Sequence, residues 1–549
     1  MLQVVFRKPV LLTSRRSNFV ICNKRFFQSC SKMLASDEVL FHNENQARVI
    51  TLNRVSKLNA LSTQMCKEIT PRLKEYSVSE VANLVIINSN SERAYCSGGD
   101  VIQCAKDNLQ NENLKSVEFF NLEYNLNFLL STYNKPVVSF VNGIVMGGGV
   151  GVSVHNPFRI VCETTRFAMP EANIGFFSDV GTSFYLSRMD GYLGYYLALT
   201  GDELHGIDSF LAGFGTHYVP FERFNALKER LTGLELPAIA PEVNPKDKPM
   251  KESELGKRNI KELYPIINET IEEFVDPIPE DYQFKYSKEQ LLTIEKCFNP
   301  TTHNSVVDVI KSLEKDGSEF SKEILQKFST RSPVSLNLIF EMLKRSSKTN
   351  IYEAIKNELI LATNMMINPE LSDFNECISK RLINSKSKNP EDKIPKFKYP
   401  SVDKVPSEIL NKLLTVSPEM IKLSEGSFDN LDLLSPSEKL KQKSNSELDS
   451  SNANARGAVL SSIGIENYFH RTYNEYPFHN GLPSQAEIKD YITGNDGSNR
   501  QYSVTKSEAI KYFIKKYRGR IGVRTKLVNV LDRKTKGSKF GEEYLEWVD

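Results

Sequence analysis

Ala94-Tyr95-Cys96-Ser97-Gly98-Gly99-Asp100 and, further along, Gly143-Ile144-Val145-Met146-Gly147-Gly148-Gly149-Val150-Gly151 are the stretches on which the reading of this chain turns. Each follows an apolar, β-branched run: Leu84-Val85-Ile86-Ile87 before the first, Pro136-Val137-Val138-Ser139-Phe140-Val141 before the second. Such runs read as buried strands, and the glycines after them as turns that bare backbone N–H groups. Two such loops brought together make an oxyanion hole, in which each donor is worth roughly 3 to 4 kcal/mol to a carbonyl under attack or enolisation.

Downstream lies Phe167-Ala168-Met169-Pro170-Glu171-Ala172-Asn173-Ile174-Gly175-Phe176-Phe177-Ser178-Asp179-Val180-Gly181. Pro170, Gly175 and Gly181 break any helix, so Glu171 and Asp179 sit on a loop rather than on one helical face. Carboxyls sharing an apolar cleft, here with Phe167, Phe176 and Phe177 as wall, have their pKa values pushed apart by desolvation and repulsion, which divides acid from base. Cys96 adjoins the first loop, but no Cys/His pairing is suggested for it. His155 falls in an apolar helical run and reads as a core histidine.

With Leu52-Asn53-Arg54-Val55-Ser56-Lys57-Leu58-Asn59-Ala60-Leu61 upstream, the two loops resemble the crotonase (enoyl-CoA hydratase/isomerase) superfamily from about Glu38 to about Leu414. The resemblance implies an α/β fold, a spiral of ββα units followed by a C-terminal helical region, and an acyl-CoA substrate. It assigns the oxyanion amides to Gly99 and Gly148. Hydratases of the superfamily carry a first glutamate where Gly151 stands, so two-glutamate water addition is disfavoured. What remains resembles the 3-hydroxyisobutyryl-CoA hydrolase branch, a mitochondrial matrix activity of valine catabolism that needs no metal or redox cofactor. On that resemblance Glu171 either attacks the thioester or activates a water. Asp179 orients substrate or donates a proton, Glu123 lines the acyl pocket, and Ser97 belongs to the substrate-binding set. The chain departs from the branch at Ser178, usually proline, and at Thr182 and Ser183, usually glycine, so the Asp179 loop is expected to be set differently. Another short-chain acyl-CoA hydrolase or isomerase remains an alternative.

Composition agrees with a globular protein: 549 residues, 40% apolar, 25% charged, formal charge +2, and no apolar run long enough to span a membrane. The eight cysteines show no CxxC pair, which fits a reducing compartment and argues against a zinc site. Residues 1–36 carry Arg7, Lys8, Arg15, Arg16, Lys24, Arg25 and Lys32 with no acid before Asp37, the pattern of a mitochondrial transit peptide. Residues 37–235 read as the acyl-CoA-binding core, 236–289 as a surface insertion with some helix, and 290–415 as a helical region covering the site. In the last, Leu336, Ile339, Phe340 and Leu343 share one face.

Residues 416–456 read as a linker, since Ser424 to Asn454 holds eight serines and four asparagines. Residues 457–549 form a basic extension. Arg500 to Lys539 has 13 Lys or Arg against only Glu508 and Asp532, the electrostatic footprint of a polyanion. Some fungal and plant relatives of the hydrolase branch serve in the small subunit of the mitochondrial ribosome. The resemblance therefore implies a second class of function, contact with small-subunit rRNA and ribosomal proteins, beside catalysis or in place of it.

Overall fold

The computed structural model describes residues 37–79, 81–236, 263–417, 420, 472–477, 480–498, 500, 502–539 and 541–548. The transit-peptide reading and nearly all of the linker lie outside them. The chain divides into Met1–Asp37 and Glu38–Asp549, and the second unit holds the strands, the helical region and the extension.

Ten strands carry the core: β1 (Val39–Glu44), β2 (Ala47–Leu52), β3 (Leu84–Ser89), β4 (Ala94–Cys96), β5 (Val137–Val141), β6 (Ile144–Met146), β7 (Phe158–Val161), β8 (Arg166–Ala168), β9 (Leu204–His205) and β10 (His217–Tyr218). They form a six-stranded sheet, β1-β2-β3-β5-β7-β10, and a four-stranded sheet, β4-β6-β8-β9. Apart from the antiparallel β1/β2 and β8/β9 pairs, all neighbours are parallel. The pairs β3–β4, β5–β6 and β7–β8 each place their first strand in the large sheet and their second in the small one, which is the ββα spiral. Every repeat therefore turns a corner at the same edge, and the two glycine loops fall there side by side.

Both faces of the large sheet are covered, so its strands are apolar throughout yet still alternate. Val85 and Ile87 point into the main core with Ile50, Leu52, Val137 and Val141. Leu84 and Ile86 point the other way, with Ala47, Val49, Val138, Phe140, Phe158 and Ile160, into a second core closed by Phe224, Leu227 and Leu231. The described part of the insertion completes that core: residues 263–272 are helical and bury Leu263, Ile267 and Ile271. This stretch is thus a packed layer rather than a surface excursion, because its apolar residues recur every fourth position and the sheet offers an apolar face to receive them.

The helical region runs from Lys288–Cys297 to Ser407–Leu414. In its helix Pro333–Ser346 the face formed by Leu336, Ile339, Phe340 and Leu343 is buried. Ser287 and Ser305 begin two of its helices with capping boxes, which satisfy the first N–H groups and suppress fraying. The described part of the extension is folded: helices Gln485–Thr493, Lys506–Lys516 and Val523–Lys534 and a hairpin of Thr535–Ser538 with Gly541–Trp547 enclose their own small core.

Candidate active site

The first glycine loop is held by the segment that precedes helix Thr63–Val78. Leu61 N–H donates to Gly98 O and Asp100 N–H to Leu61 O, both at 2.8 Å, while Ser97 N–H donates to Leu58 O at 3.0 Å. The Asn59 amide bonds the Ala94 and Tyr95 carbonyls. Gly98 sits at φ +123°, open only to glycine. Gly148 begins a single helical turn, Gly148–Gly151, whose first N–H groups have no intrahelical acceptor. Among the described residues, neither Gly99 N–H nor Gly148 N–H has a hydrogen-bond acceptor. A methyl built on Gly148 would lie 3.1 Å from Gly99 N and would collide with Glu123 Oε1. The two free amides are thus adjacent, and a carboxyl stands beside them.

Three acids converge there. Glu123 comes from helix Asn113–Ser131, Glu171 from the 3₁₀ turn Glu171–Ile174, and Asp179 from the loop before helix Thr182–Leu186. They are 1%, 5% and 5% exposed. Glu123 Oε1 and Glu171 Oε2 are buried with no hydrogen-bond partner among the described residues, whereas Asp179 accepts from the Tyr124 hydroxyl at 2.6 Å. Burial, and then repulsion from Asp179, raise Glu123 and Glu171 well above the usual carboxylate range. Burial also raises Asp179, but the Tyr124 hydrogen bond opposes it, leaving it at about 7. Asp179 therefore ionises most readily, and the cluster titrates as a unit. Phe176 stacks on Phe120 at 5.1 Å and touches Phe177 at 4.6 Å. Phe167 instead pairs with Phe214.

A methyl on Gly151 would come within 2.5 Å of Val180 Cβ and 2.7 Å of Asn127 Nδ2. No side chain fits there, and the missing hydratase glutamate has no room. Ser97 is half-buried, with its hydroxyl 3.5 Å from Lys57 O, and no contact with the three acids is seen. Burial pushes the Cys96 thiol up to about 12, far from a reactive thiolate.

The departures at Ser178, Thr182 and Ser183 are built into the loop. Thr182 Oγ1 donates to Asp179 O at 2.6 Å. Ser183, through its hydroxyl and its N–H, and Gly181 N–H all donate to the Glu358 carboxyl. Ser178 Oγ is buried without a partner among the described residues. Sequence reasoning missed Tyr124, Asn127 and Glu358. The first two were accessible, because positions 123, 124 and 127 share a helix face. Glu358 lies 177 residues from Gly181, and nothing local points to it.

Residues 47–414 match the family described as enoyl-CoA hydratase/isomerase. The chain belongs to the enoyl-CoA hydratase/isomerase family. Its crotonase fold is shared with a carnitinyl-CoA dehydratase from Mycobacterium thermoresistibile, at TM-score 0.57 and 27% identity over 70% of this chain and 98% of that one. Among curated members, the mitochondrial 3-hydroxyisobutyryl-CoA hydrolase of Danio rerio is 34% identical over 404 residues, 73% of this chain and 96% of its own. The small ribosomal subunit protein mS47 of Neurospora crassa is 33% identical over 518 residues, 93% of this chain and 88% of its own. A match that long necessarily takes in much of the extension, which lies beyond the family match.

Proposed function

We propose that the protein hydrolyses the thioester of a short 3-hydroxyacyl-CoA, 3-hydroxyisobutyryl-CoA in the first instance, to the free acid and CoA in the mitochondrial matrix. The observation that carries this is the pair of free amides, Gly99 and Gly148, beside a buried Glu171 carboxyl with an unpartnered oxygen, at a site with no room for an acid at Gly151. The amides hold the thioester oxygen as it becomes negative. Glu171 attacks the carbonyl carbon, or directs a water to it, and the CoA sulfur departs. Glu171 becomes reactive by passing its proton to the Asp179 side of the cluster, which then protonates the departing sulfur. Glu123, held neutral by burial, leaves the hole electrically unopposed.

Product analysis tests this. Incubation with 3-hydroxyisobutyryl-CoA is expected to yield free acid and CoA; accumulation of a dehydrated or isomerised thioester would contradict the reading. One turnover in ¹⁸O-water that leaves the first product unlabelled and places the label on Glu171 identifies direct attack, with water opening the anhydride at the Glu171 carbonyl.

The length of the match to the mS47 protein favours a second role alongside the first: association with the small subunit of the mitochondrial ribosome through the extension. Lys511, Lys515 and Arg524 are exposed on it, and they are the basic residues we assign to contact with rRNA or ribosomal proteins. Co-sedimentation of the full-length protein with mitochondrial small subunits, weakened when these three are changed to Ser, is the expected result.

A further inference from the structure

Between Asp179 and Gly181 the backbone takes an unfavourable form. Val180 has φ +57°, a left-handed conformation costly for a β-branched side chain. Such a residue persists only where its surroundings over-determine it. Part of that surrounding is His155, whose Nε2 lies 2.9 Å from Val180 O. A carbonyl can only accept, so Nε2 carries the proton and Nδ1 is the lone-pair nitrogen. Nδ1 faces the Tyr476 hydroxyl at 2.9 Å, which must then donate. Burial holds the His155 ring neutral, at about 4.

Tyr476 belongs to the extension, beyond the family match, and residues 473–476 are clipped in place. Ile351 N–H donates to Tyr473 O at 3.0 Å, and Arg188 donates to Asn474 O at 2.9 Å. The Tyr476 ring packs edge-on against Phe184 at 5.3 Å. Ile351 begins the helix that carries Glu358, and Phe184 lies in the helix that follows Asp179.

We propose that Tyr476 is a positioning residue for the acid loop: by donating to His155 Nδ1 it fixes the ring tautomer that holds Val180 O and, through it, Asp179. The extension thereby completes the site that the core builds. Without the hydroxyl, the imidazole can place its proton on Nδ1, and Val180 O then faces a lone pair. The effect on rate rests on the hydrolase reading; the effect on the loop does not.

The test uses the full-length chain with Tyr476→Phe, which keeps the ring contacts. The expected result is a kcat about ten-fold lower with KM within two-fold, since small misplacement of a reacting group is expensive. Added to His155→Gln, whose amide N–H needs no tautomer fixing, Tyr476→Phe is expected to change nothing further. Hydrogen exchange at Gly181 and Thr182 is expected to quicken several-fold in Tyr476→Phe and to be unaltered by it in the Gln background. Unchanged kcat together with unchanged exchange would overturn the proposal. If the wild-type protein releases no thiol, the hydrolase reading fails by itself, and exchange alone decides the role of Tyr476.

Discussion

Glu123 stands so close to Gly99 and Gly148 that its charge decides whether they can serve as an oxyanion hole. Ionised, it would repel the developing oxyanion; burial raises its pKa well above the usual carboxylate range and so favours the protonated form. Gln mimics the protonated carboxyl, so Glu123→Gln is expected to keep kcat within about five-fold, whereas a required carboxylate would cost two or more orders of magnitude. Asp179 links the site to stability. Burial lifts it from 3.8 to about 7, so the folded protein holds this proton more tightly than the unfolded chain does. The resulting stability is present below about pH 4 and is lost as the pH rises through 7. Asp179→Asn still accepts from Tyr124 and removes that loss. It is expected to melt at least about 2 °C above wild type at pH 8, with the gap closing toward pH 4; identical melting at pH 8 would speak against the burial of a charge.

At the scale of elements, the site is a meeting of short turns, and each is legible to the extent that its determinants are local. The glycine loops could be read because strand, turn and helix start follow one another within a dozen residues. The family resemblance added Glu123, whose helix is apolar on several faces. Glu358 and Tyr476 could not be read, because their partners lie 177 and 321 residues away. The packing of Gly151 against Val180 and Asn127 makes the loop sensitive to a single methyl. Gly151→Ala is expected to lower thiol release at least ten-fold and to destabilise by about 1–3 kcal/mol, the usual cost of overpacking; wild-type rate and melting would show that the loop yields freely.

At the scale of the molecule, the extension shows what a charge count leaves out. Its surplus of Lys and Arg reads as a polyanion footprint, yet much of it is spent within the chain. Arg520 and Arg518 pair with Glu272 and Glu269 of the insertion. Lys526 pairs with Asp190, and Arg533 and Lys534 face Glu295. Lys506 and Lys516 pair within the extension. Sequence shows the sign of these charges but not their partners, which lie up to about 340 positions away. The Arg520 side chain is 7% exposed and also donates to Gly481 O at 3.1 Å. Arg520→Ala leaves Glu272 poorly paired and is expected to cost about 3 kcal/mol. Hydrogen exchange should rise across residues 485–534 while Ala47–Leu52 stays protected; protection retained throughout would mean that the extension docks by its apolar contacts alone.

The most direct test of the central claim is the rate of free-thiol release from 3-hydroxyisobutyryl-CoA by the full-length protein and by Glu171→Gln, with melting curves showing that both are folded. Glu171→Gln keeps the size and burial of the side chain and removes its ability to carry charge. Release by the wild type, reduced at least a thousand-fold in the variant, is the predicted result. Equal release from both proteins, or none from the folded wild type, would contradict it.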